Sequence, residues 1–506
     1  MRMTASEMTE PVSSTSVQRC DVCIVGAGVA GLNAAFAASR HLSRGQRIIL
    51  VDRRGRVGGM WVDTYPYVRL HQPHGMFTAG NVKWTLGRER SYLANKDEVL
   101  DHLEHCLDEI RRSVRVDTFF GHDVESVDEH PGRVQVTCRS STGERLVVEA
   151  RKVVKAYGFR VTPNDPLPLS STRARSVSPD TCDVRTGDLA ADDAPVWIIG
   201  GGKTAMDTAH ALITARPGRE VNLVAGRGTL FTIRDRAFPD GLRRWYGGTP
   251  VSSFAGEACR RFDGTNEDEV WRWQRGMIGT WVTPDAASFL LGVLSEDESR
   301  TIRNGLNRVA MDYLVDAVDR DGGVELQFRS GDTTTVPAGS WIVNCTGYVT
   351  GSDHPYEPYV SPGGSVVSIQ TRSATLHLST YMGYFMTHLL MLDKFDETPL
   401  YEFDFQEMVH RSRTAFPYAV LTVAQYNLGL MYDALPTKVF TDCGLDFDRH
   451  YPPHRRLVRM VEFMLTHRRE REHQRRTLDT VRERFDIRCG PLRHDQPADA
   501  DGHAAM

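Results

Sequence analysis

Twice along the chain an apolar run breaks on a cluster of glycines and resumes as a helix-forming stretch, and each time a second apolar run follows. The first occurrence spans residues 21–52. The run VCIV enters GAGVAG, which supplies Gly26, Gly28 and Gly31; an alanine-rich stretch follows, then RIILV, ending on Asp52. Each part has a physical task in a strand–turn–helix–strand unit. Gly26 permits the tight turn, Gly28 lets backbone approach a pyrophosphate, and Gly31 brings the helix against the sheet. The helix N-terminus offers free N–H groups and the positive end of its dipole to phosphates. The Asp52 carboxylate accepts hydrogen bonds from a ribose diol. The spaced acid and the flanking strands favour a dinucleotide site over a chance glycine turn.

The second occurrence spans Val196 to Arg227. VWIIG enters GGGKTA, giving Gly200, Gly202, Lys203, Thr204 and Ala205, followed by the helical MDTAHALITA and the strand-like VNLVAGR. Lys203 and Thr204 sit in the turn that would face the phosphates. No acid ends this second strand. Gly226 and Arg227 stand there, with Arg234 further on. A carboxylate would repel a ribose 2′-phosphate, whereas a guanidinium binds one bidentately. The site therefore reads as one for NADPH rather than NADH.

Two dinucleotide sites in one chain imply an electron relay, with NADPH donating hydride to a second cofactor that begins with ADP. FAD is the candidate. Two more apolar runs, VVKAYGF and IVNCTGY, end on a small residue and a glycine on either side of the second unit. They suit a chain that leaves an FAD domain near Gly158 and returns near Thr346 and Gly347. The fold expected is α/β, with two Rossmann-type dinucleotide-binding domains of three-layer ββα type. The FAD domain is discontinuous, 19–160 and 345–489. A linker covers 161–194, and the NADPH domain covers 195–344 with a helical insertion at about 238–303. Polar stretches at 1–18 and 490–506 read as disordered tails.

A length of 506 residues accommodates two or three domains. The formal charge of -4 gives no general draw toward nucleic acid or an anionic membrane. No apolar run approaches the roughly 18 residues that span a bilayer, and the N-terminus has no apolar core of a secretory signal. A cytoplasmic location is the expectation. The nine cysteines lack framework spacing, and no metal site is expected. Cys20 and Cys23 form a CxxC in letters only, because residues three apart on a strand point to opposite faces.

The same residues resemble the class B flavin monooxygenases, which include flavin-containing monooxygenases, YUCCA-type and Baeyer–Villiger enzymes. A group of actinobacterial oxidoreductases carrying YPFVRLHQP is similar as well. After Asp52 and Arg53, RVGGMW resembles the family's GGxW element, which implies that Gly59, Met60 and Trp61 flank the flavin. YPYVRLHQPHGMF resembles the YxxLxLHxP segment that runs beneath the isoalloxazine, implying that Arg69, His71 and Gln72 stand near the reacting atoms. GGGKTAMD resembles GxGxSAxD, and RGTLFTIR the arginine-bearing phosphate segment. HDVESVDE resembles the strand that clasps the adenine near Val124. The family's FxGxxxHxxx(Y/W) linker signature is missing between Phe159 and Pro195, and Tyr157 stands where Thr is usual.

The resemblance implies an NADPH-dependent FAD monooxygenase that acts on a small organic substrate and O2 through a C4a-(hydro)peroxyflavin. N- or S-oxygenation is favoured, as of an amine or amino acid of secondary metabolism. Carbon hydroxylation and Baeyer–Villiger insertion are the alternatives. His71 or Arg69 would hold the peroxide or its protonation state, His71 because imidazole titrates near neutrality. A cluster of Arg69, His71 and His74 would suit a substrate carboxylate. The aromatic-rich insertion is either a pocket wall or a helical unit with its own core. His377, Tyr381 and His388 fall on a stretch that reads chiefly as packed helix. The charge-mixed 453–487 reads as a solvated helix or a subunit contact, and a homodimer is the favoured assembly. The rivals are a flavin disulfide or ferredoxin reductase, a flavin oxidase, and an FAD-binding sensor without turnover.

Overall fold

A computed structural model describes residues 15–158, 161–347 and 353–492. The expected tails therefore lie largely outside the described residues. The first strand nevertheless begins at Thr15, inside the stretch read as tail, because Thr15–Gln18 pair with Arg145–Val148. At the other end, Gly490 and Pro491 belong to a strand, Cys489–Pro491, paired with Tyr401–Asp404.

The first sheet runs in the order Arg115–Phe120, Arg47–Asp52, Thr15–Val25, Arg145–Lys155, with the first four strands parallel and Val366–Ser368 added beside Arg145–Lys155. Central parallel strands are covered on both faces and so read as unbroken apolar runs. Val22, Cys23, Ile24 and Val25 are all buried. One face carries the antiparallel meander His122–His130, Arg133–Ser140 and Arg145–Lys155, which packs Val134, Val136 and Val148 onto Cys23, Val25 and Ile49. The other face carries the helix Val29–Ser39. That helix is rich in alanine because it is wedged between the sheet and a second helix, Ser379–Met391. The crossing is close enough that a Cβ on Gly383 would sit 2.3 Å from the Ala30 carbonyl oxygen.

The second domain repeats the plan. Its parallel sheet is ordered Arg308–Ala310, Val221–Val224, Val196–Ile199, Trp341–Asn344, Arg175–Val177, and a meander over Leu314–Arg320, Gly323–Phe328 and Thr333–Val336 covers one face. Arg175–Val177 is an edge strand of this sheet, so the stretch read as linker contributes to the second domain.

The insertion is not wholly helical. It contains Val251–Arg261 and Glu267–Ile278, and also Gly279–Thr280 and Phe289–Leu294, which form a small sheet with Leu230–Ile233 just before it. It packs on the C-terminal helices Phe416–Ala434 and Pro453–Phe485 and also holds a small cluster of its own, Trp271, Ala286 and Phe289 with Leu230. Tyr418 donates to Gln274 Oε1 at 2.8 Å, and Arg484 pairs with Glu267 at 2.6 Å. Among the described residues no helix is long and apolar enough to cross a membrane.

Candidate functional site

A cavity of about 380 Å³ opens at the carboxyl ends of the first sheet, where open α/β sheets hold their ligands. Gly26, Gly28, Asp52, Arg53, Gly59, Met60, Trp61, Val124 and Gly158 line it. Gly26 has φ +108°, and a Cβ there would lie 2.5 Å from the Ala156 carbonyl oxygen. Gly31 stands behind the cavity, where a Cβ would lie 1.8 Å from the Gly26 carbonyl oxygen, so its task is helix–strand contact. Gly28 and Gly59 face each other backbone to backbone: a Cβ on Gly59 would come within 2.7 Å of Gly28 Cα. The GGMW element thus presses on the glycine turn and leaves a side-chain-free cradle at the N-terminus of Val29–Ser39. Asp52 is buried; its carboxylate accepts from Ala27 N at 2.6 Å and Arg54 N at 2.7 Å, which fixes the turn and keeps lone pairs for a ribose. The donor set and the cradle fit the ADP half of a dinucleotide. Ser379, at the start of Ser379–Met391, also lines the cavity, and no motif pointed to it.

At the second turn Gly200 has φ +132°, and a Cβ there would lie 2.3 Å from the Cys345 carbonyl oxygen. Gly201, which the motif reading passed over, is equally constrained, 2.6 Å from the Ala225 carbonyl oxygen. Gly202 caps the helix Lys203–Ala215 and has open space at its Cβ position. Thr204 is half-buried behind it, and Arg227 is exposed just past the strand Val221–Val224. Thr346 and Gly347 require a correction. The strand Trp341–Asn344 lies in the second sheet beside Val196–Ile199, and Cys345 N donates to the Ile199 carbonyl at 2.8 Å. Its end therefore emerges at the second turn, with Thr346 N 3.1 Å from where a Gly200 Cβ would be, and not at the first cavity. The first cavity is closed instead by Ser379, with Thr371 donating to the Gly158 carbonyl at 2.8 Å.

Arg234 also departs from its expected role. It is buried, its Nε donates to the His71 carbonyl at 2.8 Å, and its Nη2 pairs with Glu298 at 2.9 Å. Lys203 pairs with Asp207 one helical turn on. Both cations are thus engaged by carboxylates of their own domain.

The segment Tyr65–Phe77 is pinned between the two domains. Tyr65 donates to Asp207 Oδ2 at 2.8 Å, Tyr67 and Thr208 share a hydrogen bond of 2.7 Å, and Arg234 holds the His71 carbonyl. Tyr65 lies only four positions after Trp61, which is on the cavity wall, a span of at most about 14 Å. His71 is pushed down to about 3, first by burial and then by the Lys203 and Arg234 charges, against the opposing pull of Asp207 and Glu298. It is neutral at working pH, so the expectation of titration near neutrality fails. Glu298 is held down at about 2 by Arg234 and Lys203 in spite of its burial. Arg69 alternates with buried Val68 and Leu70, so its side chain is exposed and donates to the Leu93 carbonyl at 3.3 Å. It does not reach the cavity. His74 is buried against Trp84 with Nδ1 3.0 Å from the Tyr92 carbonyl. The Arg69–His71–His74 cluster is therefore not formed. Gln72 is half-buried beside His71. Asp207, which ends GGGKTAMD, Tyr65, which opens YPYVRLHQPHGMF, and Glu298, which no motif contained, complete the network around His71.

Tyr381 donates to the Leu445 carbonyl at 2.5 Å and His388 meets His41 at 2.8 Å, so both serve packing; the His377 ring lies against Tyr381. All nine cysteines are free and none lines the first cavity. Burial pushes the Cys20 thiol up to about 12 and Cys23 well above its ordinary value. Neither is poised for redox exchange.

Residues 20–248 match the family model described as pyridine nucleotide-disulphide oxidoreductase. An uncharacterized protein of Mycobacterium tuberculosis is 29% identical over 201 residues, which cover 37% of this chain and 34% of that protein. The match thus spans about a third of the relative's length. Among solved structures, a bacillithiol disulfide reductase from Staphylococcus aureus is 12% identical with a TM-score of 0.44, covering 75% of this chain and 99% of that one. A flavin-containing monooxygenase from Stenotrophomonas maltophilia is 14% identical with a TM-score of 0.44, covering 74% and 99%.

Proposed function

We propose that this chain is an FAD- and NADPH-dependent monooxygenase acting on a small organic substrate. The observation that carries the reading is the Tyr65–Phe77 segment, which runs from the wall of one nucleotide cavity to side chains of the other domain's nucleotide helix. Bound FAD would accept hydride from NADPH and deliver two electrons to O2, one oxygen atom entering the substrate and the other leaving as water. Gly26, Gly28 and Asp52 would hold the ADP half of FAD, with Gly59 and Trp61 beside its flavin half. Gly200, Gly202 and the N-terminus of Lys203–Ala215 would hold the pyrophosphate of NADPH, with Arg227 on the 2′-phosphate. His71, neutral and half-buried, donates or accepts a hydrogen bond without adding charge. The buried, high-pKa thiols argue against disulfide reduction. The resemblance to the class B flavin monooxygenases as a whole puts N- or S-oxygenation ahead of carbon hydroxylation or Baeyer–Villiger insertion.

The test is anaerobic reduction of the holoprotein with NADPH followed by rapid mixing with oxygenated buffer, with the flavin spectrum and hydrogen peroxide recorded. Bleaching by NADPH and a delayed return of oxidised flavin, hastened by an amine or thioether, are expected. Failure to bleach would overturn the electron relay. Immediate return with stoichiometric peroxide, whatever amine or thioether is added, would overturn the monooxygenase.

A further inference from the structure

The helix Pro453–Phe485 is about 50 Å long, and its two halves differ. The C-terminal half buries Gln474, Thr477, Leu478 and Val481 against the body of the protein. The N-terminal half does the reverse: Leu457 is 54% exposed, Val458 58%, Met460 51%, Val461 43%, Met464 46% and Leu465 69%. At 3.6 residues per turn these six fall on one face roughly 160° wide. A second exposed patch adjoins it. Leu242 is 73% exposed, Trp245 51% and Tyr246 76%. The two are joined, since Arg455 donates to the carbonyls of Arg244, at 3.3 Å, and Gly247, and the Trp245 ring stacks on His454 at 5.7 Å. Isolated exposed apolar residues need no explanation, but a contiguous patch marks an interaction site.

We propose that this surface is the interface of a homodimer in which the two Leu457–Leu465 segments cross antiparallel about a two-fold axis at Val461. Three observations favour a second copy of this chain over other occupants. The first is register. A two-fold interface requires a patch to be its own complement. Leu457 and Leu465 stand four residues either side of Val461, and Val458 and Met464 three either side. An antiparallel copy therefore meets leucine with leucine and valine with methionine. The same register sets Arg468, seven residues beyond Val461, against the other copy's His454–Trp245 stack, seven residues before it, where a guanidinium can lie over the rings.

The second is area. At roughly 150–250 Å² for a large side chain, the nine residues expose on the order of 900 Å², against roughly 800 Å² per partner in a standard interface. The third is charge. Three arginines at the rim are already matched by acids of their own chain, Arg456 by Asp446 at 3.5 Å, Arg459 by Glu462, and Arg468 by Asp433 at 2.9 Å, and Arg455 is held by carbonyls. At these positions two copies bring ion pairs together and not bare cations. An anionic lipid surface would instead draw on unmatched arginines.

The test uses the full-chain holoprotein in sedimentation equilibrium, with Val461→Asp, Val461→Cys and Leu457→Cys variants. A dimer is expected at micromolar concentration. Val461→Asp, which sets two carboxylates on the axis, should raise its Kd about 100-fold or more with flavin content unchanged. On mild oxidation Val461→Cys should cross-link to itself. Leu457→Cys should not, because eight residues of helix rise, about 12 Å, separate it from its own counterpart, beyond disulfide reach. A monomer at all concentrations would overturn the proposal. So would a dimer indifferent to Val461→Asp, cross-linking through Leu457→Cys in place of Val461→Cys, or a monomer that binds phosphatidylserine vesicles through this face.

Discussion

Lowering the pH from 7.5 to 5 should remove about 4 kcal/mol of stability through two histidines built into the core as neutral rings, on the linkage between proton uptake and unfolding. His102 is 4% exposed and His388 2%. The His102 ring stacks on Trp84 at 3.8 Å with Nε2 2.9 Å from the Thr78 hydroxyl, while its Nδ1 has no partner. His388 Nδ1 meets His41 Nε2 at 2.8 Å and its own Nε2 has none. Protonation would bury a cationic N–H with no acceptor. Burial first, then neighbouring His105 and His74 for the one and His41 and Arg40 for the other, hold each ring at about 3. Unfolded imidazole titrates near 6.5. The unfolded state therefore binds the extra protons, so stability is full above about pH 6.5 and falls as the pH drops toward 3. At pH 5 the ratio of proton-binding factors, about 30, converts to about 2 kcal/mol per ring. Two such losses are a large part of the roughly 5–15 kcal/mol that a folded domain commands. The assay is guanidinium unfolding by tryptophan fluorescence at stepped pH for the wild type, His102→Gln and His388→Gln. Each glutamine should remove a slope of about 1.4 kcal/mol per pH unit between pH 6.5 and 4, and comparison at equal pH cancels effects shared by all three proteins. Parallel pH profiles would refute the reasoning.

Gly31→Ala places a Cβ 1.8 Å from the Gly26 carbonyl oxygen, so the turn must shift. The purified variant should hold FAD at least about ten-fold more weakly, a loss near 1.4 kcal/mol, whereas Gly45→Ala, with open space around it, should keep the wild-type flavin-to-protein ratio. Arg227→Ala should raise KM for NADPH about 10- to 150-fold, the value of a charged phosphate contact of 1.5–3 kcal/mol, and leave KM for NADH where it was. Equal changes for both nucleotides would show that the arginine does not read the 2′-phosphate.

The glycine turns were legible in the sequence because their demand is local: φ of +108° at Gly26 and +132° at Gly200 suits glycine whatever the rest of the chain does. What escaped was fixed by partners distant in sequence. An apolar run ending on Thr-Gly has the same signature in either domain, and only the pairing of Trp341–Asn344 with Val196–Ile199 sends Thr346 to the second turn. Arg175–Val177 is too short and polar to announce a strand, and it is one because Trp341–Val343 supplies its hydrogen bonds. The ionisation of His71 is set first by its burial and then by two cations from the other domain.

Arg234 and Lys203 carry this furthest. Read along the sequence, each is a cation near a nucleotide turn, and a phosphate is the natural partner. In the fold Glu298 and Asp207 reach them first. A nucleotide phosphate would have to displace a carboxylate from a half-buried pair, and breaking such a pair leaves a poorly solvated charge behind. These cations are therefore better placed to join the domains than to select the nucleotide. Arg234 grips the His71 carbonyl, and Asp207 joins Lys203 to Tyr65. In the proposed function, selection of NADPH would then rest on Arg227, which is exposed and follows a strand that lacks the acid ending the first unit. The two domains are alike in plan, and in the proposed function the difference between Asp52 at one strand end and Arg227 just past the other would divide their cofactors.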